Sequence, residues 1–225
     1  MKKTITILLV FLLVMITSCN KYSYLQDKDL STKEGILTDT AKGFILSELT
    51  FDGTLNTMQW DADRLNELND YFLTTKEVVL YNYYLDRDIY RLVLSPKDEQ
   101  PIIITVNKKD KDAWLVSKRI RMIENRADSI VAEADSARVD KSQPALPDYF
   151  DNYMKTWNSA HIQRFDSLFA AVDFFNLPIG QTENQYDSYY LMEVHQKDKY
   201  RYIYRPMDDR VLENLIEYMR SFSRF

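Results

Sequence analysis

The sequence predicts an α+β domain in which several hairpins form an antiparallel sheet and amphipathic helices pack mainly on one face of it. Short runs of alternating apolar and polar residues, turn residues between those runs, and longer apolar patterns at helical spacing lead to this prediction. Aromatic residues make up 13% of the chain, too many for a disordered protein. We expect a single domain over residues 34–225, unless the proline-containing stretch near residues 140–147 divides it.

The first strands and a helix are predicted between residues 43 and 116. Asp52-Gly53 is a hairpin signal, although a helix before it remains open, and Asp61 is a suitable N-cap for a helix that carries Leu68 and Phe72. The clearest hairpin joins EVVLYNYYL to DIYRLVL through Asp86-Arg87. It pairs Tyr83 with Tyr90, Tyr81 with Leu92, and Val79 with Leu94. Further strands are expected at 102–106 and 114–116, joined by a charged loop.

Two helices are predicted next. The charged stretch 118–139 has only a thin apolar stripe, and the PALP sequence at 144–147 ends it. An amphipathic pattern from Phe150 to Phe175 then predicts a helix of about 28 residues, unless Ser159 begins a second helix. His161 lies on its apolar stripe, where we expect it to pack.

A second hairpin and a closing helix complete the chain. SYYLMEVH and YRYIY pair so that His195 opposes Tyr200, Glu193 opposes Tyr202, and Leu191 opposes Tyr204. Asp208 or Asp209 is expected to cap the closing helix. Residues from about 165 to 222 loosely resemble the C-terminal regions of uncharacterised bacterial families, with a helix that ends near Leu-Pro, two strands and a final helix. That resemblance implies architecture alone.

The N-terminus has the three parts of a secretory signal. Lys2 and Lys3 precede an apolar run from Ile5 to Ile16, and small residues follow. The run is shorter than the roughly 20 residues of a membrane-spanning helix. Ile16-Thr17-Ser18-Cys19 resembles the lipobox of bacterial lipoproteins, which implies that residues 1–18 are removed and Cys19 is lipidated. Asn20 is not the aspartate that commonly retains such proteins at the inner membrane, so we expect the outer membrane, in a leaflet that the sequence does not specify.

The composition agrees with export and argues against nucleic acid as a partner. Cys19 is the only cysteine, so no intramolecular disulfide can form. Without Lys2 and Lys3, 27 of the 29 basic residues remain against 34 acidic ones, which is not the basic footprint that phosphates require. Polar residues 19–33 lack periodicity, and we interpret them as a lipidated tether.

Motifs of common enzymes and cofactor sites are missing from the sequence. With four glycines, at positions 35, 43, 53 and 180, neither a dinucleotide-binding motif nor a P-loop is present. The chain also has no nucleophile elbow, and its two histidines and one cysteine form no zinc pattern. We therefore expect no cofactor and no metal.

One face of the second hairpin is the candidate ligand face, and it consists of Glu193, His195, Tyr200, Tyr202 and Tyr204. A carboxylate beside a histidine suits acid–base work or weak metal binding, and an exposed tyrosine row suits stacking on sugar rings. The favoured interpretation is that helices cover this face, with the long helix and the closing helix packed on the tyrosines.

These observations favour a non-enzymatic envelope lipoprotein that binds another protein or an envelope component. The alternative is a module that binds a glycan or another small ligand, and a hydrolase that uses Glu193 or His195 comes third. The implied partners are the membrane, through lipid on Cys19, and a protein in the envelope.

Overall fold

The computed structural model describes residues 29–38, 62–81, 85–121, 150–178, 186–197 and 199–225. Its centre is one antiparallel sheet of six strands, and this confirms the predicted α+β class. The strands are β1 (Asp88–Ser95), β2 (Ile102–Lys109), β3 (Asp112–Ile120), β4 (Phe150–Trp157), β5 (Tyr189–Gln196) and β6 (Lys199–Pro206). They lie in the order β4-β3-β2-β1-β5-β6, so β1 and β5 are neighbours inside the sheet although they are far apart in the chain.

Helices lie on both faces of this sheet. They are α1 (Ala62–Thr74), α2 (Ser159–Ala171) and α3 (Glu213–Arg220), with a short 3₁₀ helix at Phe174–Asn176. Asn158 is the N-cap of α2, and its side chain accepts a hydrogen bond from the backbone N–H of His161 at 2.9 Å.

Two apolar cores follow from strand alternation. Ile89 and Val93 of β1 share one core with α1 and the tyrosines of β6, and we call this side the tyrosine face. Tyr90 and Leu92 share the other core with α2 and α3, which we call the helix-pair face. The prediction that the long helix and the closing helix cover the tyrosines is wrong, because Met192, Val194 and Ile203 offer a fully buried apolar surface on the opposite side.

The hairpins from β2 to β3 and from β5 to β6 are confirmed. The observed register pairs His195 with Tyr200, Glu193 with Tyr202, and Leu191 with Tyr204, as predicted.

The predicted hairpin through Asp86-Arg87 is wrong. Leu92 pairs with Ile104 and Met192, so both edges of β1 are occupied and none is left for residues 77–81.

The single helix from residue 150 to 175 is also wrong, because residues 150–157 form strand β4 and the helix starts at Ser159. Apolar side chains at 150, 153 and 157 fit helical spacing, but in β4 only the first and the last of them are buried. Lys118 to Ile120, expected at the start of a charged helix, belong to β3. The closing helix starts at Glu213, after a turn in which Asp209 accepts from the Val211 N–H at 2.8 Å.

The described residues before α1 pack on the domain. Leu30 is buried in the tyrosine-face core, and the Val79 N–H donates to the Gly35 carbonyl at 2.8 Å. Gly35 has a φ of +85°, and a Cβ there would approach Leu85 and Val78 within 3 Å, so glycine is required.

The predicted signal, lipobox, Asp52-Gly53 hairpin and Asp61 cap lie outside the described residues. No helix in the described part of the chain is long and apolar enough to cross a membrane.

Candidate functional site

The candidate ligand face on the second hairpin is buried. Exposure is 0–1% for Glu193 and His195, and 3–5% for Tyr200, Tyr202 and Tyr204. Side chains of α1 and residues 79–81 share the core with the tyrosines, and the Tyr81 ring meets the Tyr200 ring edge-on at 6.2 Å. This burial agrees with the favoured interpretation that the tyrosines belong to the core.

Glu193 is held by a buried arginine that the sequence patterns did not connect to it. Arg91 of β1 lies directly opposite Glu193, and its Nε and Nη2 atoms lie 2.7 and 2.5 Å from Glu193 Oε2. The Tyr200 hydroxyl donates to the other carboxylate oxygen at 2.9 Å. Burial, together with the Glu193 carboxylate, raises the pKa of Tyr200, so this phenol keeps its proton.

The same arginine connects the sheet to the chain after α1. Arg91 Nη1 donates to the Val78 carbonyl at 2.7 Å and lies 3.4 Å from Glu77 Oε2. Lys118 reaches the second oxygen of Glu77 at 2.8 Å and donates to the Thr75 carbonyl at 2.7 Å. Each buried charge therefore has an opposite charge and further hydrogen bonds, which is the condition under which ions are tolerated in a core.

His195 is a buried neutral histidine rather than a ligand. Its Nδ1 lies 2.9 Å from the Leu80 carbonyl. Burial lowers the pKa of His195 to about 4, against the opposing effect of the Leu80 carbonyl.

A substrate would have no access to either member of the Glu193–His195 pair. Both Glu193 oxygens are engaged by Arg91 or Tyr200, so this carboxylate is not free to accept a proton from a reactant. Among the described residues, no group of three or more His, Cys, Asp or Glu side chains could hold a metal ion. The charges on the tyrosine face therefore act as a structural network.

His161 packs as expected, on the helix-pair face. Its ring meets the Phe222 ring at 4.8 Å and the Trp157 ring at 6.5 Å, both edge-on. The Trp157 ring also lies 5.4 Å from that of Phe165. These aromatic rings join β4, α2 and the residues after α3 into one layer.

A surface cleft of about 260 Å³ lies beside α3, on the helix-pair face. We call it the α3 cleft. Leu94, Tyr190, Met207 and Ile216 supply its less polar part, and its charged residues are Asp208, Asp209, Arg210, Glu213, Glu217 and Arg220. Its residues come from β1, β5, the turn after β6, and α3. Four separate parts of the chain therefore build it.

Tyr190 is the unusual residue of the α3 cleft. Its side chain is fully buried, and its hydroxyl lies beside the Asp209 carboxylate. Burial and the nearby Asp209 carboxylate raise the pKa of Tyr190, so the phenol stays protonated. A protonated phenol and a carboxylate therefore lie side by side at this cleft.

The charges around the α3 cleft are unevenly paired. Asp209 forms an ion pair with Arg205 at 3.1 Å. Glu213 and Glu217 stand one helical turn apart on the same wall, and neither forms an ion pair with another described residue. Like charges at this spacing repel each other. A cation between them would relieve that repulsion.

The α3 cleft was not found from the sequence. Alternation placed Tyr190 on the same side as Arg201 and Arg205, and this is the one signal that pointed toward it. No family model, curated protein or solved structure matches the chain, so its function has to be argued from these residues.

Proposed function

We propose that this chain is a lipid-anchored envelope protein that binds another protein, and that the α3 cleft receives a lysine or arginine side chain of that partner. The observation that carries this proposal is the pair Glu213 and Glu217, which form no ion pair with another described residue and line the same cleft as the apolar side chains of Leu94, Met207 and Ile216.

The anchor in this proposal depends on the sequence alone. A positive start, a short apolar run and a cysteine after small residues match the requirements of a lipoprotein signal. More than one acyl chain is needed for stable anchoring, because a single chain binds membranes only marginally. Lipid on Cys19 and its new amino group would meet that need. Asn20 favours the outer membrane.

A basic side chain fits the α3 cleft better than a purely apolar or anionic group. Lysine and arginine have an apolar stem and a charged end. The stem would lie along Leu94, Met207 and Ile216, while the charged end would lie between Glu213 and Glu217. Asp208 adds a further carboxylate, so acidic groups outnumber Arg210 and Arg220 at the cleft.

The size of the cleft supports a protein partner over a free metabolite. At about 260 Å³ it is smaller than the roughly 300–1,000 Å³ of pockets that enclose small ligands. A single side chain inserted into a pocket is a common centre of protein–protein interfaces, and arginine is among the residues most often found there. The rest of the partner would then contact the surface around the cleft.

The test uses the full-length protein in detergent micelles and N-acetyl-arginine methylamide as the probe. We expect weak, saturable binding by calorimetry, and none for N-acetyl-glutamine methylamide, which has a similar stem without the charge. The Glu213→Gln/Glu217→Gln double variant should lose binding. Asp112→Asn, at the opposite end of the sheet, is the control for loss of one negative charge.

Stability separates loss of binding from loss of the fold. Glu213 and Glu217 are exposed, so the double glutamine variant should keep its free energy of unfolding within about 0.5 kcal/mol of the wild type. Equal binding of the arginine and glutamine probes, or full binding by the double glutamine variant, would rule out this use of the cleft. Binding of a monosaccharide at the cleft, without the arginine probe, would favour the glycan alternative instead.

A further inference from the structure

Strand β4 forms one end of the sheet, and its outer edge has no partner strand among the described residues. Only Phe150 and Trp157, its first and last residues, are buried. Met154 is 65% exposed, the highest value among the large apolar residues that the structure describes. All eight β4 residues pair in continuous register with β3, so no bulge turns this edge away from a partner.

The other edge of the sheet differs. Strand β6 ends at Pro206, which cannot donate a backbone hydrogen bond. Its two arginines bind the chain after the 3₁₀ helix: Arg201 donates to the Leu177 carbonyl, and Arg205 donates to the Pro178 carbonyl at 2.6 Å. Exposed edges usually carry such protection because unpaired backbone groups attract other strands. In β4, only Asp151 and Lys155 interrupt an otherwise uncharged strand.

The two charges of β4 are placed symmetrically about Tyr153. In an antiparallel pair of two β4 strands centred on this residue, Asp151 of each copy lies opposite Lys155 of the other. Tyr153 then faces its own copy, and Asn152 faces Met154. Residues opposite each other in such a pair point to the same face of the sheet. The tyrosine faces of the two copies, and likewise the helix-pair faces, would thus be continuous.

We propose that the outer edge of β4 binds the same edge of a second copy of this chain, in the antiparallel register centred on Tyr153. The two six-stranded sheets then become one continuous sheet. A two-fold interface requires a surface that is complementary to itself. Asp151 and Lys155 meet that requirement because they are placed symmetrically about Tyr153. This symmetry favours a second copy of the chain over an unrelated peptide as the partner. The proposal does not depend on the α3 cleft.

Side chains on both faces add to this contact. Met154 is on the tyrosine face of β4, the side of Phe150. Tyr153 and Lys155 are on the helix-pair face, where Lys155 Nζ lies 4.7 Å from the centre of the Phe222 ring. If the protein is lipid-anchored, confinement to a membrane raises the local concentration of copies. A modest edge contact is then enough for pairing.

Cysteine cross-linking tests both the pairing and its register. The full-length Tyr153→Cys protein in liposomes should form a disulfide-linked dimer under mild oxidation, because residue 153 faces its own copy. The two copies of residue 156 lie roughly 20 Å apart in this register, so Thr156→Cys should form none. Wild-type protein, whose one cysteine is Cys19, gives the background. Equal cross-linking at 153 and 156 would mean random collision and would overturn the register.

Charge exchange provides a second test that does not need a new cysteine. Asp151→Lys places like charges across the contact and should abolish the dimer in analytical ultracentrifugation. The Asp151→Lys/Lys155→Asp double variant restores opposite charges between copies and should recover it. Within one chain Asp151 pairs with Arg121 at 2.6 Å, and the double variant keeps the repulsion that the single change creates there. Recovery therefore reports the contact between copies.

Three results would contradict the proposal. A full-length wild-type protein that stays monomeric both in micelles and on liposomes would show that this edge is not used for self-association. That outcome includes the case in which another part of the same chain covers β4. A dimer that survives Asp151→Lys would place the contact elsewhere. Failure of the double variant to recover the dimer, with its fold intact by circular dichroism, would remove the Asp151–Lys155 pairing.

Discussion

His195 should make the stability of the domain depend on pH between about 4 and 6.5. Burial lowers the pKa of His195 to about 4 in the folded protein, and the nearby Arg87 charge acts in the same direction. An exposed histidine in the unfolded chain titrates near 6.5. As the pH falls below 6.5, the unfolded chain therefore binds a proton at His195, whereas the folded chain does not bind it until the pH approaches 4. The free energy of unfolding therefore decreases as the pH falls.

The size of this effect follows from the two pKa values. One pKa unit corresponds to about 1.36 kcal/mol, so the full loss is about 3 kcal/mol below pH 4. At pH 5 most unfolded chains carry the proton and few folded ones do. Linkage then gives a loss of about 2 kcal/mol relative to pH 7.5.

Urea unfolding at pH 7.5 and pH 5, followed by circular dichroism, measures this loss. The matched variant is His195→Gln, which does not titrate and keeps an amide near the Leu80 carbonyl. All other titratable groups are the same in both proteins, so the difference between their two losses isolates His195. We expect the wild type to lose about 2 kcal/mol more than the variant. Equal losses would refute the conclusion that His195 is buried as a neutral residue.

Two further predictions concern the core and the anchor. Tyr202→Ala should lower the free energy of unfolding by about 3–5 kcal/mol in urea titrations, because the ring is 3% exposed within the tyrosine-face core. A loss below about 1 kcal/mol would instead fit an exposed tyrosine. Cys19→Ser should abolish labelling with palmitate and move the protein from the membrane to the soluble fraction. An unlabelled wild-type protein would contradict the lipobox assignment.

The sequence predicted best where pairing is local. The hairpin from β5 to β6 follows from a short turn and from apolar residues that match on both strands, and its register is confirmed. Pairing between distant strands was missed, since alternation shows which face a residue occupies and not which strand lies beside it. Arg91 illustrates this limit. Its partner Glu193 lies 102 residues away, so no local pattern linked the two charges.

Strand β4 was mistaken for helix for a different reason. In a strand at the exposed edge of a sheet, the side chains that face the core need not all be apolar. The two buried residues of β4 are seven positions apart, and this spacing also corresponds to two turns of a helix. The α3 cleft has no sequence signature because β1, β5, a turn and α3 all contribute to it. The glutamates of α3 meet the apolar side chains of the other elements only when these elements are assembled.

Mapping the arginine probe by NMR tests the central claim most directly. In spectra of the full-length protein, N-acetyl-arginine methylamide should shift the resonances of Leu94, Tyr190 and residues 207–220. The resonances of residues 200–204 should stay in place, because their tyrosines are buried in the tyrosine-face core, on the other side of the sheet from the cleft. Shifts confined to Tyr200, Tyr202 and Tyr204, or no shift at saturating probe, would contradict a binding site for a basic side chain in the α3 cleft.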